Sequence, residues 1–123
     1  MRIILGSGSP RRRKILEEVF GRIEIIVPDV DKTLLQGETP EDYTRRITDL
    51  KLDYAAGKVK DSDNYILLTS DTIVCIDEKI LGKPVSEQDA YSMLSLLSGR
   101  EHFVITGISV EYNNGNIVKR LYD

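Results

Sequence analysis

A chain of 123 residues with 41% hydrophobic and 30% charged residues has the size and mixture of one soluble globular domain. A net charge of −3 and the lack of an aromatic stacking pattern disfavour nucleic acid as a partner, and the longest apolar runs are too short to cross a bilayer. The one cysteine, Cys75, excludes an internal disulfide and a cysteine-rich zinc site, and is expected as a buried structural residue. With no long apolar stretch at its start, the chain is expected in the cytoplasm.

Ile3, Ile4 and Leu5 predict a short buried strand that breaks at Gly6 and Gly8. Ser9 has the chemistry of an N-cap and Pro10 suits the first helical position. Ile15, Leu16, Val19 and Phe20 then follow at helical spacing. The first turn of that helix carries Arg11, Arg12, Arg13 and Lys14, cations at the end of the helix that is already positive. Each misplaced charge there costs ~0.3–1 kcal/mol. An anion at that end removes the conflict, because free N–H groups, helix dipole and guanidinium forks then converge on one phosphate. A solvated basic patch is the other reading. A dinucleotide-binding reading of Gly6-Ser7-Gly8 fails for want of the third glycine, where Arg11 stands.

Gly21 is expected to stop the helix, and Ile23 to Val27 to form a second strand ended by Pro28. Asp29 and Asp31 follow in a loop, either as hard oxygen ligands for a divalent cation or as a solvated turn. Thr39-Pro40-Glu41-Asp42 opens a helix with Tyr43, Ile47, Leu50 and Tyr54 along one face and an end near Gly57. Lys51 lies beside that face, its stem packed and its amine reaching out.

Tyr65 to Leu68 predicts a central strand that stops at Thr69-Ser70-Asp71-Thr72 and resumes over Ile73 to Ile76. Asp71, a carboxylate between hydroxyls at a strand end, suits a base or metal ligand, or alternatively a turn cap. A hairpin turn at Asp77-Glu78-Lys79 returns through Ile80 and Leu81 to Gly82-Lys83-Pro84, which presents a lysine either to a ligand or to solvent. Ser86 to Asp89 opens a helix with Ala90, Met93, Leu94 and Leu97 as its buried stripe, closed by Ser98-Gly99. His102 heads a long strand over Phe103 to Tyr112. Asn113-Asn114-Gly115 signals a hairpin, and Asn116 to Tyr122 forms its partner strand. No repeat or linker divides the chain, so residues 1–123 read as a single domain.

Three segments stand out together: Ser7-Gly8-Ser9-Pro10-Arg11-Arg12, Ser70-Asp71-Thr72 and Gly82-Lys83-Pro84. With Leu97-Ser98-Gly99, His102 and Thr106-Gly107 they resemble the Maf family of septum-formation-inhibitor-like nucleotide pyrophosphatases, in order along the whole chain. The resemblance implies an α/β fold like that of inosine triphosphate pyrophosphatases, with a mixed twisted sheet flanked by helices, often in a homodimer. It implies hydrolysis of a nucleoside triphosphate to monophosphate and pyrophosphate with Mg²⁺ or Mn²⁺, a house-cleaning activity with a septum-related role. Asp71 matches the proton acceptor and a metal-binding position. Arg11, Arg12, Lys51 and Lys83 match phosphate-binding positions, with Ser7 and Ser9 in the same turn. Asp31 falls in an acidic loop where an Asp-Glu pair is usual, but Lys32 stands at its second position. Arg11 and Thr72 match the branch that prefers dTTP and UTP, whereas a branch acting on a methylated GTP has Trp and Gln there. Relative to the family the chain lacks a C-terminal third, which carries a Thr-x-Val-x-Phe strand and a loop with a substrate-selecting Gln. The alternative expectation is therefore a shortened, catalytically impaired homologue that binds nucleotide or protein.

Overall fold

The computed structural model describes residues 2–59, 64–76, 79–81, 86–88, 91–92, 95, 102–112 and 116–122. Its elements run β1 (Arg2–Gly6), α1 (Pro10–Phe20), β2 (Glu24–Ile25), α2 (Pro40–Lys58), β3 (Tyr65–Ile76), β4 (Lys79–Leu81), β5 (Phe103–Tyr112) and β6 (Asn116–Tyr122). Among the described residues the strands form one mixed sheet in the order β2-β1-β3-β5-β6, with β4 also on β3. β1 runs parallel to β2 and β3, and the pairs β3–β4, β3–β5 and β5–β6 are antiparallel. The turn at 77–78 and the stripe Ala90, Met93, Leu94 and Leu97 lie outside the described residues, although Glu87, Gln88, Tyr91, Ser92 and Ser95 are helical.

Two expectations about strands need correction. The second strand is only Glu24–Ile25, not Ile23 to Val27. The central strand does not stop at Thr69 to Thr72 but runs unbroken over twelve residues. β5 pairs with it continuously through that stretch, Asp71 opposite Gly107 and Thr72 opposite Thr106. What changes there is the partner on the other edge. β1 leaves at Thr69, opposite Gly6, and β4 joins only at Val74, opposite Leu81. Residues 70–73 thus face a gap in the sheet, at the carboxyl end of β1.

α2 covers one face of the sheet, and the core lies beneath it in two clusters. Ile4, Leu52, Ala55, Tyr65 and Leu67 form one, and Tyr43, Ile47, Ile73, Cys75 and Ile105 the other. Cys75 is buried in the second of these, as expected. A belt of hydroxyls separates the clusters. Thr44 Oγ1 donates to Pro40 O, Thr48 Oγ1 to Thr44 O and Thr69 Oγ1 to Thr48 O, while Ser109 Oγ donates to Asp49. The buried face of α2 is therefore Tyr43, Thr44, Ile47, Thr48, Lys51, Leu52 and Ala55. The expected stripe through Leu50 and Tyr54 is rotated, because threonines that return their hydroxyls to the preceding turn can be buried without loss of a hydrogen bond.

The contact across this belt is close. A Cβ on Gly107 would stand 2.6 Å from Thr48 Oγ1 and 2.9 Å from Thr44 Cγ2, so only glycine lets α2 approach β5 there. Among the described residues the opposite face is only partly covered. α1 has no buried residue, and its Ile15, Val19 and Phe20 are exposed, with Val19 at 68%. No described helix is long and apolar enough to cross a membrane.

Candidate active site

The turn after β1 fixes the start of α1. Buried Ser7 accepts the N–H of Ser9 at 3.0 Å, and Ser9 caps the helix by accepting the N–H of Arg12 at 3.4 Å. The four cations of the first turn then diverge. Arg13 turns along the helix to Glu17 at 2.8 Å. Arg12 reaches across to β3, donating to Thr72 Oγ1 at 2.8 Å and to Ser70 O at 3.4 Å. Arg11 lines the space between.

From α2 comes Lys51, 7% exposed. Its ammonium donates to Ser70 O and to Asp71 Oδ1, each at 3.0 Å, so it does not reach out into solvent as its position beside the apolar face suggested. Asp71 itself is 8% exposed. The gap between β1 and β4 explains the convergence: Ser70 O takes donors from two helices at the point where β3 has no strand on that edge. Burial lowers the pKa of Lys51, and the Asp71 carboxylate opposes that shift.

These groups line one cleft of about 610 Å³, walled by the turn 7–12, Val27, Pro28, Lys32, Lys51, Asp71 and Thr72. Ser7, Ser9, Arg11, Arg12, Lys51, Asp71 and Thr72 are thus brought together from three separate parts of the sequence. Lys83 lies outside the described residues. Asp31 is not part of the lining; its carboxylate accepts both N–H and Oγ1 of Thr33, at 2.9 and 2.6 Å, and those bonds lower its pKa. No group of three His, Cys, Asp or Glu residues able to hold a metal exists among the described residues. Asp71 is the one carboxylate among the described lining residues, which fits a cation held chiefly by a ligand's own phosphates with one protein carboxylate beside it.

Sequence reasoning missed Lys32 as a wall of this cleft and Thr106 as a partner of Thr72, their hydroxyls 3.1 Å apart. Register would have found Thr106, once β5 was set against β3. The arrangement gathers backbone N–H groups and guanidinium groups at a helix start, a buried ammonium, and a carboxylate in one cleft.

The profile of the Maf-like protein family matches residues 2–122. A dTTP/UTP pyrophosphatase of Clostridioides difficile (strain 630) is 44% identical over 110 residues, 89% of this chain and 55% of the relative. One of Carboxydothermus hydrogenoformans is 39% identical, covering 89% and 57%. The chain therefore spans about half the length of these curated relatives. Among solved structures, a nucleoside-triphosphatase (dITP/XTP pyrophosphatase) of Mycobacterium abscessus aligns over 99% of this chain and 71% of its own, with TM-score 0.54 and 13% identity. The Ham1 protein of Staphylococcus aureus aligns over 98% and 68%, with TM-score 0.56 and 17% identity. These two share the fold, the α/β architecture expected from the sequence.

Proposed function

The chain belongs to the Maf-like protein family, and on that premise we propose that it is a nucleoside triphosphate pyrophosphatase acting on dTTP and UTP. The observation that carries the reading is the meeting of Arg11, Arg12, Lys51 and Asp71 in one cleft at the end of a parallel strand. A triphosphate is strongly anionic, so its cleavage depends mostly on positioning and on stabilising charge. The N–H groups of the turn and the start of α1 take the phosphates, with Arg11, Arg12, Lys51 and Lys83 supplying positive charge. Asp71 accepts a proton from water as its oxygen attacks the α-phosphorus. The α-phosphorus–oxygen bond breaks, and pyrophosphate leaves.

Asp71 would hold a divalent cation, Mg²⁺ or Mn²⁺, accompanying the phosphates, and that cation would supply Lewis-acid stabilisation of phosphoryl charge. Arg11 and Thr72 bias the site towards pyrimidine nucleotides. The protein works in the cytoplasm and pairs as a homodimer.

A hydrolase is favoured over a binding module because a buried carboxylate faces the cations of the cleft. A proton acceptor beside the phosphates serves hydrolysis and is not needed for binding alone. The test is product identity: with dTTP or UTP and Mg²⁺ the protein releases nucleoside monophosphate and pyrophosphate in equal amounts. Release of orthophosphate, or no turnover with tight nucleotide binding, would refute the assignment.

A further inference from the structure

We propose that Lys32 is an additional phosphate contact of this cleft, a substrate-positioning residue that adds a further positive charge to its lining. The proposal rests on the triphosphate reading above and extends it to a wall which that reading leaves without a role.

The loop that carries Lys32 is fastened to α2 at two adjacent carbonyls. Tyr43 Oη donates to Lys32 O at 2.8 Å, and Arg46 Nη2 donates to Thr33 O at 2.8 Å while its guanidinium also pairs with Glu38 at 2.7 Å. Asp31 is held within the same turn by Thr33 N–H and Oγ1. The adjacent residues therefore divide: the acid is engaged by its own loop, and the lysine lines the cleft.

Lys32 has no ion-pair partner among the described residues. It sits close enough to Lys51 for their charges to repel, which further disfavours the charged form of Lys51. A cation that lines the cleft near another, where the described lining residues include four basic side chains and one carboxylate, is stabilised when a polyanion fills the space. The fixed backbone makes the position reliable, and the exposed, flexible side chain lets the ammonium follow the phosphate chain.

Equilibrium binding of the non-hydrolysable α,β-imido-dUTP and of dUMP tests this in the wild type, Lys32→Ala and Lys32→Arg. The anchoring bonds go to main-chain atoms, so the substitutions leave the loop in place. Lys32→Ala weakens the triphosphate analogue about tenfold, the scale of one charge-assisted contact. It changes dUMP less than about twofold, Lys32→Arg keeps most of the affinity, and the Ala deficit shrinks as salt rises, because an exposed charge is screened. Equal affinity of wild type and Lys32→Ala for the analogue, with the wild type binding it well, overturns the Lys32 role alone. A wild type that fails to bind the analogue overturns both this role and the triphosphate reading beneath it.

Discussion

Lys51 and Asp71 show how much of the site is decided by single side chains. An ammonium that is 7% exposed loses hydration, so its pKa falls below the usual lysine range even with a carboxylate at 3.0 Å. Above that lowered pKa the lysine is neutral and brings no charge to the phosphates. The alkaline limb of kcat/KM for the triphosphate is therefore expected to begin below the ordinary lysine value, because that parameter reports the free enzyme. Lys51→Arg, which stays charged, moves the limb upward; an unmoved limb would assign it to another group. The residues that meet in this cleft were legible in the sequence: misplaced cations after Ser9-Pro10 pointed to an anion, and an acid among hydroxyls to a base, a metal ligand or a turn cap. The burial of Lys51 was not legible, since its ammonium is held by Ser70 O, a main-chain atom exposed only because two strands leave a gap.

At the scale of elements, the start of α1 and the whole of β5 and β6 follow from local signals: a cap with proline, and long β-rich runs. The course of β3 does not, because Thr69 to Thr72 has the composition of a bend and is kept extended by pairing with β5, a partner more than thirty residues away. The rotation of α2 escaped for a related reason. Thr44 and Thr48 are not apolar and so stay out of the expected stripe, yet both are buried with their hydroxyls returned to Pro40 O and Thr44 O. The packing of α2 on β5 then depends on Gly107. Gly107→Ala forces a contact of 2.6 Å with Thr48 Oγ1 and is expected to cost about 1–3 kcal/mol in denaturant unfolding. It also weakens nucleotide binding, since the helix that must shift carries Lys51. Adding Thr48→Ala recovers part of both losses; a neutral Gly107→Ala would mean that α2 is not held at this distance.

Across the whole molecule, stability is uneven in a way that suits a site between a rigid and a loose part. β3 is paired on both edges and lies under α2, whereas α1 buries none of its side chains completely. Amide exchange is expected slowest in β3 and fastest, among the helices, in α1, with α,β-imido-dUTP slowing exchange at residues 10–13 most of all. Uniform protection of α1 and α2 without ligand would contradict this picture. The sequence could not reveal the imbalance, because the apolar spacing of Ile15, Val19 and Phe20 looks like that of any packed helix, and their exposure depends on what lies opposite. The chain spans about half the length of the curated relatives it matches. The most direct measurement of the account is the separation of binding from turnover in Asp71→Asn. Affinity for α,β-imido-dUTP stays the same or tightens, since a negative charge leaves the cleft, while pyrophosphate release from dTTP and UTP falls by about 10²–10⁴, the worth of a positioned general base. Turnover near the wild-type rate in Asp71→Asn would contradict the role given to that carboxylate and the mechanism built on it.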